Sequence, residues 1–214
     1  TDDDDTIRAA TDHEPITIDD EPPNGPIGIA NQLELEDFRD LYLSPTVLSR
    51  ATLGTKLCPA DINDEDYDFA IELHSPSSLS TPDFEDCFRL VRFTSADHYK
   101  KCSLGWKPLA KRSEMLQPYM RYLVVKAKEC DEVTGKEALR LAGFLSFLLL
   151  VDDDLTPVIY CYEIHIVPVD RRWGIGTHLM ALMEEVGRSV GAHKAMLTLL
   201  LTNKDGSKFY DRLG

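Results

Sequence analysis

The stretch that decides the fold is Tyr160–Met180, which reads YCYEIHIVPVDRRWGIGTHLM. Its first half, residues 160–167, is rich in aromatic and β-branched side chains and predicts a half-buried strand. Its second half predicts a helix with one apolar face. That face consists of Leu179, Met183, Val186 and Val190. A strand, a glycine turn and a helix N-terminus in this order predict an anion site, because free backbone N–H groups converge there and the helix dipole favours negative charge.

The glycine turn, residues 171–176, does not fit the two best known phosphate motifs. No Gly-Lys-Ser/Thr follows four residues after a glycine, and Leu179 stands where the dinucleotide fingerprint needs its last glycine. The pattern Arg-x-x-Gly-x-Gly directly after a strand resembles the pyrophosphate loop of the GCN5-related N-acetyltransferases. In that family the amides of the loop bind the pyrophosphate of acetyl-CoA. A basic turn that merely starts a helix is the alternative.

The size and charge of the chain restrict its class. At 214 residues it is long enough for one domain with extensions. The formal net charge is −14, and residues 1–22 hold nine acids against Arg8 alone. This start predicts a disordered tail. The acidic balance disfavours broad binding of nucleic acid and is compatible with a basic partner.

The cysteines and the hydropathy exclude several further classes. The five cysteines are odd in number and form no Cys-x-x-Cys pair; they are Cys58, Cys87, Cys102, Cys130 and Cys161. We therefore predict reduced thiols, no disulfide framework and no metal site. The most apolar run, residues 144–151, is much shorter than the roughly 20 residues of a membrane span. The given N-terminus carries no secretory pattern.

Helix-capping residues, turn residues and hydrophobic periodicity predict the order of the helices and strands. Asn31, with Glu34 three residues on, indicates the start of a helix whose apolar stripe packs on the core. Thr81-Pro82-Asp83 predicts another helix, and Ser95 predicts a cap that starts a further one. The predicted strands are residues 67–73, 119–126, 138–151 (after a turn near Thr134-Gly135), 158–167 and 194–201. The last two helices are predicted at residues 176–190 and 206–213.

This order predicts an α+β, or mixed α/β, domain with a mostly antiparallel sheet flanked by helices. It matches the acetyltransferase fold, which normally adds another strand after residue 213. We expect an acidic disordered tail at residues 1–28, a helix and extended segment packing on the core at 29–66, and an acetyltransferase domain, truncated at its C-terminus, at 67–214.

The block Tyr160-Cys161-Tyr162-Glu163 narrows the resemblance. Together with the glycine turn, Met196-Leu197-Thr198 and Asn203, it resembles the NatD family of histone-specific N-terminal acetyltransferases. Upstream, Tyr99 stands six residues before Gly105-Trp106-Lys107 and also fits that family. The similarity extends from about Tyr99 to Tyr210 with gaps. Leu104 is a departure, because NatD enzymes often carry tryptophan there.

The resemblance implies an activity and its setting. NatD enzymes transfer acetyl from acetyl-CoA to the α-amine of histones four and two-A, whose tails begin Ser-Gly-Arg-Gly-Lys. We therefore expect basic histone tails as the partner, a nuclear and cytoplasmic location, a monomer, and no direct contact with nucleic acid or membrane. A lysine or small-amine acetyltransferase and a non-catalytic acyl-CoA-binding adaptor are the alternatives.

The resemblance also implies a cofactor site. Loop amides would bind the pyrophosphate, and the backbone of residues 164–166 would pair with the pantetheine arm as an added strand does. An amide of the same segment would face the thioester oxygen. The predicted cofactor-binding residues are Ile164, His165, Ile166, Arg171, Arg172, Trp173, Gly174, Ile175, Gly176, Thr177 and Asn203.

The predicted acceptor site depends on strand alternation. Alternation puts Tyr160, Tyr162 and Ile164 on one face and Cys161, Glu163 and His165 on the other. Tyr162 and Glu163 are thus predicted not to project directly into one pocket. The resemblance implies peptide binding by Tyr99, Tyr160, Tyr162 and Thr198. It implies a general base, Glu163 acting through water, and a proton donor, Tyr210.

Each of these residues has a structural alternative. Tyr160 and Tyr162 also suit plain strand packing. Glu163 could be a structural ion-pair partner, and His165 a packed strand residue. Cys161 suits a small buried apolar position. Asp152-Asp153-Asp154 predicts a turn, although NatD enzymes use an aspartate near this place, which could be any of the three or none.

Overall fold

The structure is a computed structural model. It describes residues 25–43, 69–130 and 137–213. Three predictions lie outside these residues: the tail up to residue 24, the extended segment at 44–66 and the turn near Thr134-Gly135.

The described residues form six α-helices and five strands. In chain order they are α1 (Pro26–Gln32), α2 (Leu35–Tyr42), β1 (Phe69–His74), α3 (Thr81–Lys100), α4 (Pro108–Met115), β2 (Arg121–Cys130), β3 (Glu137–Val151), β4 (Pro157–Ile166), a 3-10 turn (Pro168–Asp170), α5 (Ile175–Val190), β5 (Lys194–Leu197) and α6 (Lys204–Tyr210). Each predicted strand has its counterpart, with ends that differ by a few residues.

The five strands form one sheet in the order β1-β2-β3-β4-β5. The first four pair antiparallel with their neighbours, as a meander does. Strand β5 pairs parallel with β4, and α5 connects the two. This is the predicted mixed α+β architecture, in which a β-α-β unit follows an antiparallel meander.

The two faces of the sheet carry separate hydrophobic cores. Helices α1, α2 and α5 cover what we call the first face, whose core includes Ile27, Phe38 and Phe147. Helix α3 and the end of α4 cover the second face, whose core includes Phe88 and Phe144. The burial of large apolar side chains on both sides is the main favourable contribution to the stability of this layered fold.

The N-terminal region differs from its prediction. Instead of one helix that starts at Asn31, there are two, and α1 begins at Pro26, an amino acid suited to the first turn of a helix. Residues 26–28 were assigned to the tail, yet they are helical and Ile27 is only 1% exposed. The Asn31 side chain donates to the Leu149 carbonyl at 3.1 Å, and the Arg121 guanidinium donates to the Asn31 carbonyl at 3.4 Å. These bonds attach the N-terminal helices to the sheet.

Helix α3 is continuous, so the prediction of a new helix at Ser95 is wrong. Its cap is Ser80, whose hydroxyl accepts from the Asp83 N–H at 3.2 Å. Within the helix, the Thr94 hydroxyl donates back to the Leu90 carbonyl at 2.8 Å. Such bonding lets a hydroxyl residue sit inside a helix without capping it.

Neither a membrane-spanning helix nor a metal-ligand cluster occurs among residues 25–43, 69–130 and 137–213. No helix in these ranges is long and apolar enough to cross a bilayer. No three His, Cys, Asp or Glu side chains lie in these ranges in an arrangement that could hold an ion.

Candidate active site

A β-bulge lies in the middle of β4. Ser146 of β3 is opposite Glu163, and the next β3 residue, Phe147, is opposite Cys161, so Tyr162 is the extra residue. A bulge breaks the alternation of a strand and re-aims its side chains. Cys161 remains in the first-face core, whereas Tyr160 and Tyr162 both pack against the second-face core.

The bulge places Glu163 on the second face together with the tyrosines, which corrects the predicted separation of Tyr162 from Glu163. Both residues contact α4: the Tyr162 hydroxyl donates to the Glu114 carboxylate at 3.2 Å, and Glu163 forms an ion pair with Lys111. His165 lies on this face too, since its ring centroid is 5.6 Å from that of Phe144. The predicted alternation therefore holds only as far as Tyr162, and Ile164, which was predicted on the face of the tyrosines, packs against the first-face core instead.

Glu163 is the centre of a buried polar cluster. One carboxylate oxygen accepts from His165 Nε2 at 2.6 Å. The other lies 3.1 Å from Lys111 Nζ, an ion-pair distance without hydrogen-bond geometry. His165 Nδ1 contacts the Thr94 hydroxyl at 2.7 Å, which ties the cluster to α3. The ion-pair role considered for Glu163 is therefore present in the structure.

The protonation state of Glu163 follows from this arrangement. Burial by itself would raise the pKa of the carboxyl group, because it disfavours the charged form. The Lys111 ammonium and the His165 ring act in the opposite direction and outweigh burial, so the pKa is lowered to about 2. Glu163 is a carboxylate throughout the neutral range.

The predicted peptide-binding residues lie around this carboxylate. Tyr99 of α3 accepts a hydrogen bond from Lys111 Nζ at 3.1 Å, and its ring centroid is 5.8 Å from that of Trp106. The Tyr160 and Thr198 hydroxyls are 2.6 Å apart. Burial raises the pKa of Tyr99 to about 12 and also raises that of Tyr160 and Tyr162, so these phenols keep their protons near neutral pH.

Helix α6 positions two further predicted residues. The Tyr210 ring packs edge-on against Phe209 at a centroid distance of 5.1 Å, next to the first-face core. Burial raises the pKa of Tyr210, and Cys161 and Glu163 raise it further. Asn203 caps the helix, since its side-chain oxygen accepts from the Gly206 N–H at 2.9 Å.

The predicted pyrophosphate loop has the backbone of an anion site. Arg172 and Gly174 both have positive φ, 69° and 74°, and a run of backbone N–H groups in such a turn forms a concave nest. Gly174 is the N-cap of α5 and provides no side-chain cap. The first intrahelical bond runs from the His178 N–H to the Gly174 carbonyl, so the amides at residues 175–177 precede it. These groups fit a phosphate ligand.

Two contacts hold the loop in place. Asp170, which is 1% exposed, forms a two-point ion pair with Arg140 of β3 at 2.5 and 2.9 Å. The Arg171 Nε atom donates to the Ile166 carbonyl at 3.2 Å. A methyl group added at Gly176 would lie 3.2 Å from the Phe209 ring, so this glycine also accommodates α6.

The outer edge of β4 is suited to an extended amide ligand. The ladder with β5 pairs Val158 to Cys161 and ends there. Residues 163–166 pair with β3 on their other side, and no described strand continues beside them. An amide chain can add to such an edge through main-chain hydrogen bonds. Residues 164–166 are where the pantetheine arm was predicted.

The Asp152-Asp153-Asp154 run forms the turn between β3 and β4, as predicted. One Asp152 carboxylate oxygen accepts from the backbone N–H groups of Asp154 at 3.0 Å and Thr156 at 2.9 Å. The other lies 3.2 Å from Lys194 Nζ. The Asp152 carboxylate is therefore occupied by the turn and by β5.

Three members of the cluster are not among the residues predicted from the sequence: Thr94, Lys111 and Glu114. Lys111 and Glu114 belong to α4, which was not predicted. Pro108 at the first helical position was the available signal, together with the Lys111–Glu114 pair at a spacing of three residues. Nothing in the sequence marks the bulge that brings Glu163 to them.

Comparison with known proteins identifies the family. The Acetyltransferase (GNAT) family matches residues 84–214, which is more than half of the chain and includes the loop, β4 and the cluster. The chain belongs to the GNAT acetyltransferase family. Its fold is the GNAT fold, with five strands flanked by helices, and its acetyl donor is acetyl-CoA.

Solved structures with similar folds have low sequence identity to this chain. An aminoglycoside N-acetyltransferase, AAC(6')-Iy in complex with CoA, is 19% identical with a TM-score of 0.48, covering 69% of this chain and 88% of that one. An acetyl transferase described as putative, from Pyrococcus furiosus, is 20% identical with a TM-score of 0.47, covering 68% and 91%. A ribosomal-protein-alanine N-acetyltransferase from Brucella melitensis biovar Abortus 2308 is 16% identical with a TM-score of 0.46, covering 69% and 91%.

Proposed function

We propose that this GNAT enzyme is of the NatD type. It transfers acetyl from acetyl-CoA to the N-terminal α-amine of histones four and two-A, whose tails begin Ser-Gly-Arg-Gly-Lys. Basic histone tails are then its protein partner, the nucleus and cytoplasm its location, and a monomer its working form.

The observation that carries the proposal is the bulge at Tyr162. It brings three of the four side chains of the Tyr-Cys-Tyr-Glu block to one face, where Tyr160 also reaches Thr198. Tyr99 joins them through Lys111. These are the residues on which the resemblance to NatD peptide binding rests, and the fold gathers them from distant parts of the chain.

The charge of the cluster suits a positively charged peptide N-terminus. The carboxylates of Glu114 and Glu163 face the single ammonium group of Lys111, at 2.6 and 3.1 Å. The two carboxylates outnumber this ammonium group, and His165 pairs with Glu163 at 2.6 Å. The excess of carboxylates would attract an α-ammonium group, and the tyrosine rings offer cation–π contacts. Leu104, which is 38% exposed, stands where NatD enzymes often have tryptophan, so a smaller side chain occupies this position here.

The residues that would hold the donor are the loop and the β4 edge. The nest at residues 172–177 would bind the pyrophosphate, and the backbone of residues 164–166 would pair with the pantetheine arm. Bound acetyl-CoA supplies the acetyl thioester. Asn203 contacts the donor in this proposal through its side-chain amide, because its oxygen caps α6.

Glu163 and Tyr210 move the protons. A peptide α-amine has a pKa of about 7.7–8.0, so much of it is already neutral close to neutral pH. Glu163 accepts a proton from the amine, through water, but its lowered pKa makes it a weak base and limits its contribution. Acetyl transfer to the amine would release the thiolate of CoA, and Tyr210 would donate a proton to it; the raised pKa of Tyr210 keeps its hydroxyl protonated for this role.

The test is mass spectrometry of Ser-Gly-Arg-Gly-Lys peptides after incubation with acetyl-CoA. We expect acetylation at the free α-amine and none when that amine is blocked and the lysine is free. Acetylation of the blocked peptide would favour a lysine acetyltransferase. Binding of acetyl-CoA without turnover of any free amine would favour a non-catalytic adaptor.

A further inference from the structure

A buried lysine lies beneath the proposed acceptor site. Lys111 is on α4 and is only 7% exposed, although lysine is among the residues least often buried. Its Nζ atom is 2.6 Å from Glu114 Oε2, 3.1 Å from Glu163 Oε1 and 3.1 Å from the Tyr99 hydroxyl. A charge in this position interacts with side chains of α3, α4 and β4.

The same ammonium group lies over two aromatic rings. It is 4.9 Å from the ring centroid of Tyr99 and 5.4 Å from that of Tyr162, within the range of cation–π attraction. Lys111 thus joins a tyrosine of α3 to a tyrosine of the β4 bulge. A displacement of its head group would release both rings and the carboxylate at once.

Stability alone does not account for such a group. Burial penalises the charged form of Lys111, and Glu163 and Glu114 outweigh that penalty and raise its pKa. Buried ion pairs of this kind are often no more stabilising than apolar residues of the same volume. A role in binding or catalysis therefore explains the buried cluster better than a role in stability does.

We propose that Lys111 is a positioning residue for acetyl transfer: its ammonium group fixes the Glu163 carboxylate and the Tyr99 and Tyr162 rings, and keeps Glu163 ionised. The inference rests on the proposed function, because it takes this cluster to be the acceptor site. It assigns Lys111 no contact with the reacting atoms.

The titratable groups that face Glu163 explain how Lys111 controls the protonation state of Glu163. They come from every element packed against it: Tyr99 of α3, Lys111 and Glu114 of α4, Tyr122 of β2, Tyr160, Cys161, Tyr162 and His165 of β4, and Tyr210 of α6. Among these groups the lysine is the one fixed cation. Without it, burial and the negative charge of Glu114 favour a protonated Glu163, and only the His165 ring opposes them.

The first test is the pH dependence of kcat/KM in Lys111→Met. We expect a loss of about tenfold to a hundredfold at pH 6.5, in the range of removing a weak general base, with recovery as the pH rises and Glu163 ionises. Lys111→Arg should retain most of the activity, because the charge remains. Lys100→Met removes an exposed ion pair on α3 and is the matched control, with an unchanged profile.

A profile of Lys111→Met that is parallel to the wild-type profile at all pH values would overturn the proposal. Should that variant fail to fold, the double variant Lys111→Met/Glu163→Gln removes both charges and decides the question. If Lys111 promotes the chemical step through Glu163, the kcat of this double variant equals that of Glu163→Gln alone, and the loss of the Tyr99 and Tyr162 contacts raises only the KM for the peptide. A further loss of tenfold or more in kcat would overturn the proposal.

A second readout does not depend on turnover. In protein with ¹³C-labelled glutamate, the Glu163 carboxyl signal is identified by its absence in Glu163→Gln. We expect no titration of this signal between pH 5 and 8 in the wild type and a titration in Lys111→Met. If the wild type acetylates only N-blocked peptides, the proposed function fails, while this titration still decides the role of Lys111. Identical signals in both proteins would sink the Lys111 proposal alone.

Discussion

The two faces of β4 differ in what they bury. The first face is apolar: Ile159 and Cys161 pack with Phe147 and with helices α1, α2 and α5. The second face buries the charges of Glu163 and Lys111 next to tyrosines. A buried apolar face contributes mainly to stability, and a buried charged cluster is often no more stabilising than apolar packing. The comparison teaches that one strand can carry apolar packing on one face and a buried charged cluster on the other, and that the bulge at Tyr162 brings Glu163 to the charged side.

The largest expected effect concerns the stability of the first face. Phe38 is fully buried, and the centroid of its ring lies 6.4 Å from the centroid of the Phe147 ring. Phe38→Ala should lower the free energy of unfolding by about 3–5 kcal/mol, because it leaves a cavity in the core. Denaturant titration measures this loss. Leu41→Ala on the same helix is the control, since Leu41 is 65% exposed and its truncation should have little effect.

The next effect concerns the chemistry of the second face. Glu163→Gln keeps the shape and removes the carboxylate, so kcat should fall by about tenfold to a hundredfold, the low end for a general base. The Kd for acetyl-CoA should stay the same in calorimetry. Glu184→Gln removes an exposed carboxylate on α5 and serves as the control. Full activity of Glu163→Gln at pH 7 would remove this residue from the mechanism.

The cofactor loop offers a comparison within one helix. Gly174 is the N-cap of α5, with φ 74°, and Gly191 is its C-cap, with φ 92°. Alanine at either position is strained by about 1–3 kcal/mol. Both variants should therefore lose a similar amount of stability. Only Gly174→Ala should weaken acetyl-CoA binding, by about tenfold or more, because only there does the strain fall on the backbone of the predicted anion site. Equal affinities in calorimetry would argue against the loop as the pyrophosphate site.

The smallest effect concerns peptide recognition. Tyr162→Phe removes the hydrogen bond to Glu114 at 3.2 Å, and a bond to a charged group contributes about 1.5–3 kcal/mol, less where water can replace it. The KM for the histone peptide should rise several-fold while acetyl-CoA affinity is retained. Tyr42→Phe, next to the first-face core, should change neither constant. A change in the acetyl-CoA constant instead would contradict the assignment of Tyr162 to the peptide.

Local patterns predicted most of the fold. The five strands, α5 and the glycine turn follow from periodicity and from the positions of glycine, which act within a few residues. Helix α4 was missed although Pro108 marks its first turn. The helix start predicted at Ser95 is wrong because it relied on the preference of serine for helix N-caps. Packing of the continuous helix α3 against the sheet overrides that local preference.

The candidate residues are visible in the sequence, but their arrangement is not. The Tyr-Cys-Tyr-Glu block and the glycine loop are local patterns, so the sequence alone singles them out, and their roles stay predictions. The bulge could not, because it depends on how β4 pairs with β3. Lys111 could not be connected to Glu163 either, since the two meet only through the tertiary fold.

The most direct test of the central claim is the pH profile of kcat/KM for wild-type protein with the free Ser-Gly-Arg-Gly-Lys peptide, from pH 5.5 to 9.5. This constant reports the ionisations of the free enzyme and free substrate. We predict a rise governed by one ionisation at about 7.7–8.0, that of a peptide α-amine, because Glu163 is ionised throughout. A rise that continues toward about 10.4 would identify a lysine as the acceptor. A second ionisation near neutral pH that disappears in Glu163→Gln would contradict the account of the buried carboxylate.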